Sequence, residues 1–170
     1  MKKYYQITCL TLFALFVFSA CKYSKEYKLV NVAGKFSMMV PPWVKEDKEL
    51  KPGAEFQYAN HFRNFYSIGT AEEKDSAKSI SSIMATNLNV LRGAMTKPVV
   101  TDSVNVTVGG LNGVRVEIYG NMNGEAIYFS EEVIEGKNRF YHLSVWTRTA
   151  DRKLKFKGDI DQMLNSFKEL

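Results

Sequence analysis

The sequence predicts an α+β fold in which an antiparallel sheet of about six to eight strands lies between helices. The main observation is a strand that is apolar on both of its faces. Tyr141, Leu143 and Val145 alternate along it with Phe140, His142 and Trp146. Such a strand is covered on both sides. Two segments with helical periodicity are present to provide that cover.

Short extended segments before residue 71 predict the first strands of the sheet. Tandem prolines end the second segment, because proline has no N–H to donate to a neighbouring strand. A charged loop over residues 45–53 separates the first two segments from the next two. The predicted strands are Tyr27–Val32, Phe36–Val40, Glu55–Ala59 and Phe65–Thr70.

The first helix is predicted from apolar residues that recur at helical spacing: Ile80, Ile83, Met84, Leu88, Leu91 and Met95. Asp75 or Ser76 is expected to cap its start. Gly93 weakens its end and Pro98 closes it.

The second helix has the same kind of pattern at Ile160, Met163, Leu164 and Phe167. Asp159 and Gln162 fit a capping box at its start.

Between the two helices the pattern predicts a meander of four strands. Each strand alternates apolar and polar residues, and glycine-rich or Asn-Gly segments mark the turns. The strands are Val104–Val108, Val114–Tyr119, Ala126–Ile134 and Phe140–Thr147, and the turns are Gly109–Gly113, Asn123-Gly124 and Gly136–Asn138.

The N-terminus has the pattern of a secretory signal. Lys2 and Lys3 precede an apolar run from Ile7 to Phe18. As a helix this run would reach about 18 Å, which is short of the roughly 30 Å hydrocarbon core of a bilayer. Its length and its basic start therefore indicate a signal peptide rather than a transmembrane helix.

Phe18-Ser19-Ala20-Cys21 resembles the lipobox of bacterial lipoproteins. The resemblance implies diacylglycerol on Cys21 and cleavage just before it. The alternatives are an ordinary signal peptide or an uncleaved anchor, with no role for Cys21. The resemblance also implies an envelope protein, with Lys22 rather than Asp after the cysteine favouring the outer membrane. The chain then divides into a signal peptide (1–20), a lipidated cysteine with its tether (21–26) and one domain (27–170).

Three motifs of that domain resemble those of PsbP-like proteins. They are the opening Phe36–Trp43, the hairpin Val106–Gly113 and the ending Asn165–Lys168. The resemblance spans nearly all of residues 27–170 and implies an antiparallel sheet sandwiched by helices. The superfamily includes photosystem II extrinsic subunits, a nuclear Ran-binding factor and bacterial lipoproteins. Its motifs concern packing and turns, so it implies no catalytic residue.

Composition excludes several classes of function. The net charge is +5, and without Lys2 and Lys3 it falls to 21 basic against 18 acidic residues, or +3. So small a charge, spread along the chain, does not indicate nucleic-acid binding. Cys9 leaves with the signal and Cys21 carries lipid, so the domain has no thiol for a disulfide, a metal site or a nucleophile.

The two histidines do not form a metal site, because they lack the spacing of a compact ligand set. His61 reads as an exposed loop histidine, with a ligand or base role as the alternative. His142 reads as a buried, hydrogen-bonded core histidine. The pairs Glu72-Glu73 and Glu131-Glu132 lie on strands, where neighbours point to opposite faces, so neither pair converges.

Each of three further groups of residues has a structural and a functional interpretation. Gly109, Gly110 and Gly113 read as hairpin glycines rather than a phosphate loop. A basic stretch is interpreted as a solvated linker in which the aliphatic parts of the basic side chains cover Leu154 and Phe156. The alternative is a surface that contacts anionic lipid. An aromatic group reads as core, or as an exposed partner site. The basic residues are Arg148, Arg152, Lys153, Lys155 and Lys157, and the aromatic ones are Tyr58, Phe62, Phe65 and Tyr66.

Together these features predict a non-enzymatic, lipid-anchored envelope protein. It is expected to bind a protein partner or a small ligand, as an accessory to a membrane assembly and without a cofactor. A hydrolase of envelope polymers and a purely structural lipoprotein are the alternatives. A polar pocket holding His142 with a carboxylate would favour the hydrolase, and an exposed apolar patch would favour binding.

Overall fold

The computed structural model describes residues 26–149 and 152–170. The signal, Cys21 and nearly all of the tether lie outside these residues. The described part contains eleven strands, two α-helices and a 3-10 turn at His61–Arg63. The strands are β1 (Lys28–Val32), β2 (Phe36–Val40), β3 (Lys45–Glu46), β4 (Phe56–Asn60), β5 (Phe65–Glu73), β6 (Thr96–Val100), β7 (Val104–Val108), β8 (Leu111–Met122), β9 (Glu125–Glu135), β10 (Arg139–Arg148) and β11 (Lys168–Glu169), and the helices are α1 (Ile80–Ala94) and α2 (Arg152–Asn165).

The main sheet has eight strands and its pairings are antiparallel. Its order is β3-β4-β5-β10-β9-β8-β6, and β7 also pairs with β8. A second, three-stranded sheet has the order β1-β2-β11. The predicted α+β class and the size of the antiparallel sheet are confirmed.

The two helices cover opposite faces of the main sheet, as the two-sided apolar strand predicts. On one face α2 buries Phe156 and Ile160 against β2 and β10, together with Tyr141 and Leu143 of β10. On the other face α1 lies over β6, β8 and β9. Trp146 of β10 belongs to the α1 side.

Tight turns hold the long meander in register. Gly109 and Gly110 join β7 to β8 with φ values of 58° and 82°, and Asn123 and Gly124 join β8 to β9 with 53° and 83°. These left-handed values explain why glycine and asparagine occupy the turns. Gly113, which the sequence places in a turn, instead lies within β8.

The predicted helix boundaries were wrong at both starts. Ser79, not Asp75 or Ser76, caps α1, and it forms a capping box with Ser82. The second helix is already helical at Arg152, so Asp159 lies inside it. The hydroxyl of Tyr27 donates a hydrogen bond to the Asp159 carboxylate, so this acid serves a tertiary contact and not a cap.

Three short strands were missed because their sequences look like loops. β3 lies in the charged segment, β6 contains Pro98, and β11 follows the last helix. Proline is tolerated in β6 because this strand ends the main path of the sheet, where an N–H is not needed for a ladder. No helix in the described ranges combines the length and the hydropathy needed to cross a membrane.

Candidate functional site

A cleft runs beside α1 on one face of the main sheet. It consists of three adjoining hollows of about 220, 200 and 200 Å³. Asn87 of α1 lines all three, and His142 of β10 lines two of them. We call this feature the α1 cleft.

The cleft exists because α1 covers only part of its face. The helix packs on β6, β8 and β9, and its buried residues are Met84 and Leu88. The neighbouring part of the face, on β5 and β10, lies beside the helix rather than beneath it. Residues of β5 and β10 therefore line the hollows instead of packing under a helix, among them Ile68, Thr70 and Trp146.

A ladder of aromatic rings crosses three strands of this face, and two of its rings, Trp146 and Phe129, form the floor of the largest hollow. Trp146 of β10 is the register partner of both Tyr66 on β5 and Phe129 on β9. Its ring stacks on both, with centroids 5.3 Å from Tyr66 and 5.4 Å from Phe129. Direct cross-strand pairing of this kind stabilises a sheet, so the floor is a rigid apolar surface.

The polar end of the cleft is built around a buried carboxylate. Glu131 is 1% exposed and is the register partner of Ser144. Its Oε2 lies 2.5 Å from His142 Nε2, and its Oε1 accepts a hydrogen bond from the Ser144 hydroxyl. Both carboxylate oxygens are thus satisfied, which is the condition under which a buried carboxylate is tolerated.

His142 is hydrogen-bonded, as the sequence predicts, but its side chain is 16% exposed and lines the cleft. The expectation of a fully buried core histidine was therefore only partly correct. Its burial is incomplete because α1 packs over β6, β8 and β9 and leaves the part of this face on β5 and β10 open.

The order of the three polar groups limits their chemistry. In a nucleophile–base pair the base takes the hydroxyl proton directly. Here Glu131 stands between His142 and Ser144, and the hydroxyl donates to the carboxylate. The arrangement is a fully hydrogen-bonded carboxylate at the wall of a cleft, suited to binding a ligand.

The glutamate pairs diverge as the sequence predicts. Glu132 points to the α2 face, where Arg115 Nε lies 2.5 Å from its carboxylate. Burial raises the pKa of Glu132, while the Arg115 charge opposes that shift. Glu72 pairs with Lys78 at 2.9 Å, and Glu73 pairs with Arg139 at 2.8 Å.

Sequence reasoning missed the meeting of Glu131 with His142. The signal lay in the hairpin register, because β9 and β10 are joined by a short turn and residues on one face of each strand alternate with period two. Counting back from that turn places Glu131, His142 and Ser144 on one face.

His61 lies outside the cleft. It is exposed, as predicted, and its Nε2 is 2.7 Å from the Asp47 carboxylate. The hydrogen bond from His61 lowers the pKa of Asp47. In the described ranges no three acidic, histidine or cysteine side chains converge to hold a metal.

From Arg152 onward the basic stretch is helical rather than a linker, because the last helix starts at Arg152 and not at Asp159, whereas Arg148 ends β10. Lys153 lies over the ring of Tyr128 and pairs with Glu117 at 2.8 Å. Phe156 is buried, but Leu154 is 80% exposed, so the expectation that basic stems cover both was wrong for Leu154.

The group of aromatic residues singled out from the sequence also contains both buried and exposed members. Phe65 and Tyr66 are core residues and Tyr58 is partly buried. Phe62, in the 3-10 turn, is 93% exposed.

No family model and no curated protein sequence matches the chain. Its likeness to known proteins appears in three dimensions. The solution structure of cyanobacterial PsbP (CyanoP) from Synechocystis superposes with a TM-score of 0.63, at 14% identity, over 89% of this chain and 96% of that one. The fold is PsbP-like. The resemblance drawn from the sequence motifs is thereby confirmed at the level of fold.

Two other solved structures share this PsbP-like fold. The Ran-binding protein Mog1p of Saccharomyces cerevisiae matches with a TM-score of 0.60 and 12% identity, over 85% of this chain and 95% of that one. A crystal structure from Bacteroides thetaiotaomicron matches with a TM-score of 0.59 and 12% identity, over 85% of this chain and 48% of that one. At these identities the comparison describes the fold and not the function.

Proposed function

We propose that the protein is a non-enzymatic binding protein, anchored to the cell envelope by lipid on Cys21, that holds its ligand or partner in the α1 cleft. The α1 cleft supports this proposal, because a rigid aromatic floor beside a few convergent polar groups is typical of binding sites. In this role the domain serves as an accessory to a membrane assembly. The absence of Asp after Cys21 favours the outer membrane as its location.

The position of the chain start fits a membrane-anchored domain. Tyr27 follows the tether directly, and its hydroxyl contacts Asp159 of α2. The described chain therefore begins on the α2 side of the main sheet, and the α1 cleft opens on the other side. A ligand or partner could then enter the cleft while the lipid holds the opposite face near the bilayer.

The cleft holds His142 beside the Glu131 carboxylate, which favours the hydrolase alternative, but the hydrogen bonds at this site do not supply its nucleophile. A hydrolase needs a hydroxyl or water activated by His142. The hydroxyl of Ser144 instead donates to Glu131. The exposed rim of the cleft, at Val90, favours contact with another molecule.

The anchor is tested by Cys21→Ala. We expect loss of acyl labelling and accumulation of an uncleaved or soluble chain, since each buried methylene of the lipid contributes about 0.8 kcal/mol to membrane binding. A variant that still reaches the membrane in mature form would overturn the anchor.

The binding role is tested by a photo-crosslinking residue at Val90, on the cleft rim, in the native envelope. Val104, an exposed valine of β7 away from the cleft, is the matched control. We expect a defined product from position 90 and none from position 104. Equal yields from both positions would show that the cleft is not the binding surface.

A further inference from the structure

The α1 cleft has more hydrogen-bond donors than the domain uses. The side-chain nitrogen of Asn87 is buried and has no partner among the described residues. The ammonium group of Lys51, which lines the two hollows that hold His142, makes no ion pair or hydrogen bond with them either. Buried donors are almost always satisfied in native proteins, so the side-chain nitrogen of Asn87 is available to an acceptor that enters the cleft.

The acidic side chains that line the cleft already have hydrogen-bonding partners. Glu131 is paired with His142, and Glu72 is paired with Lys78. The charge left without a partner is the cation of Lys51. Electrostatic complementarity therefore favours an anionic group over a neutral or cationic one.

The apolar part of the cleft limits the size of a molecule that can bind there. Ile68, Leu91, Phe129 and Trp146 line the largest hollow, which measures about 220 Å³. Pockets for drug-sized ligands measure about 300–1,000 Å³, so the occupant is small. The ring of Trp146 is stacked between those of Tyr66 and Phe129, so its faces are covered and another ring would pack against its edge.

We infer that the α1 cleft binds a small aromatic carboxylate, with its ring against the Phe129–Trp146 floor and its carboxylate toward Lys51 and Asn87. This inference rests on the proposed binding role of the cleft and names the class of ligand. The carboxylate accepts from the two unused donors, and the ring packs against the apolar floor. A protein segment in the same cleft is the competing occupant.

The test compares 4-(4-fluorophenyl)butyrate with its neutral amide by fluorine NMR. The full chain is placed in phosphatidylcholine nanodiscs, and empty nanodiscs correct for partition into lipid. We expect the acid to bind up to about fivefold more tightly than the amide, because a charge contact at an exposed lysine contributes up to about 1 kcal/mol. Equal affinity, or no binding of either probe, would overturn the ligand class.

Two matched variants test whether the preference for the acid arises at Lys51. Lys51→Gln should abolish the preference for the acid while leaving the amide bound as before. Lys168→Gln makes the same charge change on β11, away from the cleft, and should leave the preference intact. A similar loss in both variants would show that the preference is a long-range charge effect and not a site.

The crosslinking experiment at Val90 separates the two levels of failure. If neither probe binds but position 90 captures a protein and position 104 does not, the cleft is a partner site and the carboxylate class is wrong. If the probes also fail and crosslinking is equal at both positions, the binding role of the cleft itself is wrong.

Discussion

The two faces of the main sheet are covered by helices of nearly equal length, yet only one face is sealed. The helix α2 has 14 residues and buries Phe156, Ile160, Met163 and Leu164. The helix α1 has 15 residues and buries only Met84 and Leu88. A sealed face stabilises the fold, and a partly covered face leaves room for a binding site. The difference between the two faces shows how one sheet can supply both a stabilising core and a binding site.

The largest effect is expected on the sealed face. Phe156 is 2% exposed, and its ring packs 5.0 Å from Trp43 and 5.6 Å from Phe65. Phe156→Ala should lower the free energy of unfolding by about 3–5 kcal/mol, because it leaves a cavity that rigid neighbours cannot fill. Urea denaturation measures the loss. Leu154→Ala, at an exposed position of the same helix, should change it by no more than about 0.5 kcal/mol.

A smaller loss is expected on the open face. Leu88→Ala should cost about 2 kcal/mol, at the low end for such substitutions, because the helix lies beside a cleft and can shift toward the gap. The same denaturation experiment measures it. If Leu88→Ala costs as much as Phe156→Ala, the two faces are equally sealed and the contrast fails.

Removing the unused donor should raise stability. Asn87→Leu replaces a buried nitrogen that lacks a partner, and we expect a gain of about 1 kcal/mol in the free energy of unfolding. The same variant should weaken binding of the acid probe. Asn89→Leu, on the exposed side of α1, is the control and should do neither. A destabilised Asn87→Leu would mean that the amide is already satisfied.

The smallest effect concerns pH on the sealed face. Burial raises the pKa of Glu132 above its ordinary value. A raised pKa means that this group favours the folded state below the unfolded pKa, near 4.5, and that the contribution is lost as pH rises through the folded pKa. The stability of the protein relative to Glu132→Gln should therefore fall between pH 4 and pH 7. A relative stability that rises over this range would show that Arg115 outweighs the burial.

Much of the fold follows from local pattern. The alternation in β10, the helical spacing in α1 and the Asn123-Gly124 turn each depend on residues close in sequence, and each was predicted correctly. The starts of both helices were predicted wrongly. Other residues that can cap a helix, Asp75 and Ser76, lie close to Ser79. Asp159 accepts a hydrogen bond from Tyr27, which is distant in sequence, instead of capping a helix. A cap and a tertiary contact use the same side-chain oxygen, so sequence alone does not separate them.

The sequence by itself determined the class of fold, the two-sided covering of β10 and the prediction of an anchor at Cys21. These depend on periodicity and on short motifs, which are properties of neighbouring residues. Only the tertiary structure decided that Glu131, His142 and Ser144 meet beside an open cleft. That meeting depends on the register of β9 with β10 and on α1 packing to one side of its face, and both are set by contacts between residues distant in the chain.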